Sequence, residues 1–176
     1  VKDALCGVVE RLAAQQHNRI YALYQQHLAG CVRQLVRARS DALEKQLGVY
    51  LLAVVAEHCP VAVFNDVKPF LQPLLRCAAD MSDSQLRQDA LYGLGALATT
   101  MGSPAYAPHT ARTLAVLVSV LRDPSAFASS RVAATEAAVA ALGKLLCAAE
   151  AAVPEARAVF VQWLRLLPLK ASDDEE

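Results

Sequence analysis

The chain has 176 residues, of which 55% are hydrophobic and 19% are charged, so it is long enough for one domain with a continuous core and too apolar to be disordered. Its 17 basic and 17 acidic side chains balance to zero, which speaks against a nucleic-acid-binding module, because such a module needs a positive field to hold phosphates. The balance is uneven, since the last four residues are acidic and residues 1–172 carry a formal charge of +4.

Apolar residues recur at i, i+3, i+4 and i+7 through almost the whole chain, which predicts an all-α protein. Residues that favour N-caps, such as Ser40 and Ser84, and stretches with proline or glycine stand where helices begin and end. In chain order, we expect helices over residues 1–17, 20–38, 41–58, 65–79, 84–101, 109–122, 131–149 and 155–167.

The predicted helices form a repeat with an offset of 43 residues, and then of 48. The extra five residues of the longer unit fall in the loop 124–130, where insertions are tolerated. The first helix carries a matching stripe at Val1, Leu5, Val9 and Leu12. The stripe that defines the offset is Leu43, Leu47, Leu51, Val54 and His58, then Leu86, Ala90, Leu94, Leu97 and Met101, then Ala134, Ala138, Leu142 and Leu145.

Helix pairs with such a period are typical of HEAT or armadillo arrays, whose units stack because no pair can bury both of its stripes alone. We therefore expect a HEAT-repeat α-solenoid, a right-handed superhelix of antiparallel helix pairs. It would occupy residues 1–170 as a half repeat (1–17), three full repeats (20–58, 63–101 and 107–149) and a second half repeat (155–168), followed by an acidic tail or linker (171–176). The alternative is a compact helical bundle in which the matching offsets are coincidental.

No cluster of residues predicts catalysis, a metal site or a cofactor site. The four histidines lie on different helices or loops, without a carboxylate or cysteine at ligand or triad spacing. The five cysteines are widely spaced and include no CxxC pair, which favours reduced thiols in the cytosol or nucleus. Gly93 and Gly95 lie within a predicted helix and so do not form a phosphate loop. We expect no enzyme activity and no cofactor.

Membrane insertion and secretion are not predicted either. No uninterrupted apolar run reaches the roughly 18 residues of a membrane helix, and no basic and apolar leader opens the sequence. Because the chain begins at Val1 within a predicted helix, we expect a piece of a longer protein. Its apolar end stripes would then cause some self-association at high concentration.

The remaining candidate site is a surface for proteins. If the apolar stripes face the core, the opposite positions of every second helix face solvent in register, and solenoids bind partners along such surfaces. For any single residue a plain solvated face is the alternative, although an exposed aromatic such as Tyr92 is a common interface anchor. The predicted ladder comprises Lys45, Gln46 and Val49, then Gln88, Asp89 and Tyr92, then Glu136, Ala137, Ala140 and Lys144.

Several stretches carry a family resemblance. Residues 83–95 (DSQLRQDALYGLG) are similar to the HEAT pattern in which an arginine follows the turn and a helix rich in alanine and glycine comes next. Residues 134–136 (ATE), 142–144 (LGK) and 163–169 (WLRLLPL), with the acidic run that follows, resemble the C-terminal half of importin-β (karyopherin-β) family nuclear transport receptors. The nearest branch is the one that imports ribosomal proteins and histones. The resemblance spans roughly residues 50–176 and includes residues 57–60 (EHCP).

The resemblance implies a long HEAT solenoid that shuttles between cytoplasm and nucleus. Such a receptor binds basic protein cargo, contacts nucleoporins in the pore and releases the cargo when Ran-GTP binds, mainly through N-terminal repeats. The family often has asparagine where this chain has Ala133 and Ala137, which departs from its cargo-binding pattern. Gly93, Gly95 and Gly143 would let helices approach closely and the superhelix adjust its pitch. A HEAT scaffold or adaptor subunit of a complex unrelated to transport is the alternative.

Overall fold

The computed structural model describes residues 2–15, 19–37, 40–58 and 67–167, and within these ranges the chain consists of helices and turns without a strand. The predicted all-α class is therefore confirmed. Val1, His17, Cys59 and the predicted acidic tail 171–176 lie outside the described residues. The helices are α1 (Lys2–Gln15), α2 (Ile20–Leu23), α3 (Ala29–Leu35), α4 (Ala42–His58), α5 (Lys68–Ala79), α6 (Ser84–Leu121), α7 (Val132–Ala149) and α8 (Ala156–Leu164).

Most helix ends lie within a few residues of the ends that the periodicity predicts, and α6 is the main exception. A loop was expected between residues 101 and 109, but in α6 only Gly102 leaves helical geometry, with φ 69° and ψ 178°. Pro104 follows in the first turn of the second half, where a proline needs no N–H partner and its fixed φ suits the helix. The prediction was wrong because the proline and glycine there mark a one-residue break.

Four helices pack in sequence as a row, which we call the helix row: α1, α4, residues 84–101 of α6, and α7. Each contacts the next along the row. The close approaches of Gly93 to Ala53 and of Gly95 to Ala141 identify the N-terminal half of α6 as its member. α3 packs on α4, α5 packs on both α4 and α6, and α8 packs on α7.

In the helix row, α6 and α7 turn their apolar stripes to the core, as predicted, whereas in the stripe of α1 Val9 is buried but Leu12 is 47% exposed. In α6 and α7 all nine stripe positions are buried, and the most exposed of them is Met101 at 8%. α4 differs, because Leu43 is 68% exposed. This residue lies in the first turn of α4, whereas the buried residues of that helix begin at Gly48. The predicted stripe therefore starts one turn too early.

Among the described residues, α7 with its following turn (Val132–Ala152) is the one helix long and apolar enough to cross a membrane, with a mean hydropathy of 1.6. Of that window, 56% is buried inside the protein. Its buried side chains, such as Leu142 and Leu145, pack into the core against α6. Core packing therefore accounts for its apolar composition.

Two turns have the same pattern of hydrogen bonds. One precedes α6 and the other precedes α7. In the first, the backbone N–H and the hydroxyl of Ser82 both donate to Oδ1 of Asp80, at 3.0 and 2.6 Å. In the second, the same two groups of Ser125 donate to Oδ1 of Asp123, at 2.9 and 2.7 Å. The turns are 43 residues apart, so they support the repeat independently of the apolar stripes.

The helices that follow these turns are tied back to them by buried polar side chains. Arg87, which is 3% exposed, donates from Nε to the carbonyl oxygen of Asp80 at 3.0 Å. Thr135, which is 1% exposed, donates from Oγ1 to the carbonyl oxygen of Ala126 at 2.6 Å. Arg131 forms an ion pair with Asp123 at 2.7 Å. In the second turn, the bond to Ala126 and the ion pair therefore add to the hydrogen bonds between Ser125 and Asp123.

Two glycines let neighbouring helices approach more closely than any side chain would permit. A Cβ on Gly95 would lie 3.1 Å from Cα of Ala141, and a Cβ on Gly143 would lie 2.8 Å from the Trp163 ring. The indole N–H of Trp163 donates to the carbonyl oxygen of Val139 at 2.8 Å, which fixes α8 on α7. The structure therefore shows the close approach that was predicted for these glycines.

Candidate partner-binding groove

An open groove of about 450 Å³ runs across the helix row, and we call it the acidic groove. It takes residues from all four helices of the row, because consecutive helices present neighbouring surfaces on the same side. Its lining consists of Glu10 from α1, Tyr50, Ala53, Val54 and Glu57 from α4, Gln88, Asp89 and Tyr92 from α6, and Ala133, Glu136, Ala137 and Ala140 from α7.

Two units of the predicted ladder come together in this groove. Gln88, Asp89 and Tyr92 stand on the α6 wall, and Glu136 stands on the α7 wall together with two ladder alanines. Tyr92 is 41% exposed, as expected for a surface aromatic residue. Lys144 does not line the groove, but its Nζ lies 5.0 Å from the centre of the Tyr92 ring. The offset of 48 residues therefore aligned α6 and α7 in space.

The ladder positions predicted for α4 lie elsewhere. Val49 is 0% exposed, so its assignment to a solvent-facing ladder was wrong. Gln46 donates from Nε2 to Oδ2 of Asp83 at 3.0 Å, at the entrance to α6. Lys45 lies near Asp80, whose pKa is lowered first by the hydrogen bonds from Ser82 and then further by this lysine.

The reason for this error is the burial of α4. Residues 51–56 of that helix are all buried, so its apolar residues do not define a single face. A stripe at helical spacing identifies the solvent side only when the opposite side is polar. The groove residues of α4 consequently begin one turn later than predicted, at Tyr50, and continue to Glu57.

The electrostatic character of the groove comes from four carboxylic acids. Among the twelve described residues that line it, there are four acids and no lysine, arginine or histidine. Because the chain as a whole is neutral, this is a local concentration of negative charge. Such a cleft attracts cations and raises their local concentration. The acids are Glu10, Glu57, Asp89 and Glu136.

Two tyrosines hold two of these carboxylates in place. Tyr50 donates its hydroxyl hydrogen to Oε2 of Glu10 at 2.9 Å, which joins α4 to α1. Tyr92 makes the corresponding bond to Oε2 of Glu57, which joins α6 to α4. Burial and these carboxylate hydrogen bonds raise the pKa of both tyrosines, so the phenols stay protonated and keep donating. Each carboxylate retains further lone pairs for a ligand.

The Tyr–Glu pairs were missed by the sequence analysis, although the sequence carries a signal for them. Tyr50 and Tyr92 are 42 residues apart, and Glu10 and Glu57 are 47 apart, which is close to the period of the apolar stripes. The repeat predicted from the sequence rests on apolar positions alone. Neither spacing equals the offset of 43 or 48 residues, so the offset of the stripes points to these positions only to within one residue.

The arrangement suits the binding of positively charged side chains. Carboxylates make strong, short hydrogen bonds to ammonium and guanidinium groups, and the faces of tyrosine rings attract the same groups. Among the described residues, no group of three histidine, cysteine or acidic side chains is placed to hold a metal ion. No disulfide joins the cysteines that the structure describes.

No protein-family model matches this chain. The resemblance to nuclear transport receptors therefore depends on the sequence stretches quoted above.

Proposed function

We propose that this chain is a HEAT-repeat segment of a nuclear import receptor of the importin-β family, and that its acidic groove binds basic segments of protein cargo. One observation carries the binding part of the proposal: four carboxylates and two tyrosines from the four helices of the helix row line a single groove. This combination matches the chemistry of lysine and arginine side chains.

The solenoid part of the proposal is supported by three features of the described residues. The members of the helix row contact each other in chain order. The apolar stripes of α6 and α7 face the core at an offset of 48 residues. The turns at Asp80 and Asp123 repeat the same hydrogen bonds 43 residues apart. We propose that these units stack as antiparallel pairs in a right-handed superhelix.

The groove also limits how a partner is recognised. Its volume of about 450 Å³ suits a few side chains of an extended segment, since pockets of this size hold small ligands. The α7 wall consists of Ala133, Ala137 and Ala140 around Glu136, so it offers few amide groups that could hold a peptide backbone. Affinity would come from the charges of the partner's side chains and would fall as salt increases.

The transport part of the proposal concerns the longer protein. Through it, the segment would serve a receptor that takes basic proteins, such as ribosomal proteins or histones, from cytoplasm to nucleus. That receptor would contact nucleoporins and respond to Ran-GTP. Neither a nucleic acid nor a membrane is proposed as a partner of the groove, because its charge would repel phosphates.

A titration of the chain with a fluorescent lysine- and arginine-rich peptide tests the groove. The variant Glu57→Gln/Glu136→Gln removes two groove charges, and the amide oxygen introduced by the first substitution can still accept the hydrogen bond from Tyr92. We expect the affinity for the peptide to fall about tenfold at low salt. The matched control Glu150→Gln/Glu155→Gln removes two exposed charges outside the groove and should bind as the wild type does. Equal losses in both variants would contradict a role for the groove.

Transport and scaffolding are separated by a different measurement. Capture of the full-length protein by Ran locked in its GTP form is expected if the protein is an import receptor. If the full-length protein binds basic peptides but not Ran-GTP, the transport proposal fails and a scaffold or adaptor subunit becomes the better assignment.

A further inference from the structure

The ammonium group of Lys144 lies against Tyr92, the one aromatic residue that α6 contributes to the described lining of the acidic groove. Its Nζ lies 5.0 Å from the centre of the Tyr92 ring, within the range of a cation–π contact. Its Cδ lies 3.1 Å from the position that a Cβ on Gly95 would occupy. The missing side chain at Gly95 therefore leaves room for the lysine stem and brings its charged end to the ring.

The contact joins a basic residue to a groove that has no basic residue among its described lining. Lys144 approaches the Tyr92 ring from α7 without lining the groove itself. The hydroxyl of the same ring donates a hydrogen bond to Glu57, so the ring keeps a fixed orientation between a carboxylate and an ammonium group. A basic side chain that enters the groove meets a ring that already has a cation on it.

We propose that Lys144 is an internal competitor for the Tyr92 ring, with which it makes the cation–π contact that a lysine or arginine of a partner in the acidic groove would otherwise make. This inference rests on the proposed function, because it takes a basic segment as the ligand. The partner's cation must displace the Lys144 ammonium group from the ring or bind while close to a like charge. In both cases Lys144 weakens the complex and favours release of the partner.

The substitution Lys144→Met tests this directly, because methionine retains much of the stem that packs over Gly95 and removes the charge. We expect the basic peptide to bind about three to ten times more tightly than to the wild type at low salt, with a smaller gain at high salt. Lys144→Arg keeps the charge and should bind as the wild type does. A gain for both variants would overturn the proposal.

The matched control is Lys45→Met, which removes the same charge from α4 at a position outside the groove lining. We expect it to change the affinity less than about twofold. A gain equal to that of Lys144→Met would mean that net charge alone acts, and would overturn the competitor role.

The ring dependence is tested in a Tyr92→Leu background. There, Lys144→Met should produce no more gain than the Lys45 control, because there is no ring for which to compete. An undiminished gain would overturn the proposal. Circular dichroism and thermal unfolding of each variant show that it is folded.

The two proposals fail in different ways. If the wild type binds the basic peptide and Lys144→Met binds it equally well, the competitor role is wrong and the groove stands. If neither protein binds the peptide, the groove proposal itself is wrong. Binding by Lys144→Met alone would support strong competition by the native lysine.

Discussion

The turn before α6 and the turn before α7 begin alike and continue differently. In each, a serine donates two hydrogen bonds to the aspartate two residues earlier. The second connection then has five more residues before its helix begins. The helix position equivalent to Arg87 is Thr135, since the helices are offset by 48 residues. Both side chains are buried, and both donate to a carbonyl oxygen of the preceding turn.

The difference between the two residues follows from the distance that each must cover. The side chain of Arg87 is long enough for its guanidinium group to reach the carbonyl group of Asp80, seven residues earlier. The short hydroxyl of Thr135 reaches the carbonyl group of Ala126, which belongs to the extra residues. Ala126 is 2% exposed, so the insertion is partly core and not simply a surface loop. The repeated feature is the bond from a buried donor to a turn carbonyl group, whichever residue type makes it.

Removal of residues 126–130 is the most severe test of this comparison. Thr135 would lose its shorter hydrogen bond, to Ala126, and keep only the 3.2 Å bond to the carbonyl oxygen of Arg131. The buried Ala126 would also be lost, so we expect the free energy of unfolding to fall by about 4 kcal/mol in urea titrations. Adding Thr135→Arg to the deletion gives the second turn the spacing of the first. It should recover roughly half of the loss. A deletion that the arginine does not improve would contradict the argument from reach.

Arg87→Ala should have the next largest effect. It removes a buried stem and leaves the Asp80 carbonyl group without its Arg87 donor, which costs about 3 kcal/mol. Arg131→Ala is the comparison, because its ion pair with Asp123 is partly exposed and screened by solvent, so its loss should cost much less. Urea denaturation of both variants measures the difference, and equal losses would show that burial is not the deciding factor.

Thr135→Val is a smaller change, since valine has nearly the same shape and removes only the hydroxyl. We expect a loss of about 1 to 2 kcal/mol, because the buried Ala126 carbonyl group loses its donor. Ser119→Ala is a suitable control: its hydroxyl donates to the carbonyl oxygen of Val116 at an exposed site, and its loss should be close to neutral. A similar melting temperature for Thr135→Val and the wild type would contradict the role of this bond.

Acid sensitivity is the smallest expected effect, and it is the one in which the turns should behave alike. Hydrogen bonds from Ser82 lower the pKa of Asp80, and those from Ser125 lower the pKa of Asp123. Each aspartate therefore stabilises the fold fully above its unfolded pKa of about 3.9, and this contribution is lost as pH falls through the lower folded pKa. Ser82→Ala and Ser125→Ala should each reduce the acid-dependent fall in melting temperature. If only one of the two substitutions changes the acid dependence of the melting temperature, the two turns do not contribute alike.

The helices and their buried stripes could be predicted because helical periodicity is a local property of the sequence. In α6 and α7, the same offset that aligned Leu94 with Leu142 also aligned Tyr92 with Ala140, and both of the latter line the groove. The hydrogen bonds between Tyr50 and Glu10 and between Tyr92 and Glu57 join residues of different helices that are 40 and 35 positions apart in the chain. Spacing within one helix carries no information about such contacts.

Val49 illustrates a second limit on prediction from sequence. It stood opposite the predicted stripe of α4 and was expected to be exposed, yet α4 contacts α1, α3, α5 and α6. A helix surrounded by neighbours is apolar on several sides, so the side opposite one apolar stripe does not have to face solvent. How many neighbours a helix has is set by the packing of the whole chain. That number is not encoded in the helix itself.

Gly102 fixes the direction of the second half of α6. Its φ of 69° is strained for any residue with a side chain, and one residue separates the buried Met101 from the second half of α6, where Tyr106 is fully buried. Because buried residues anchor the helix on both sides of the break, the backbone at position 102 cannot relax when a side chain is added. The change of direction within α6 therefore depends on this glycine.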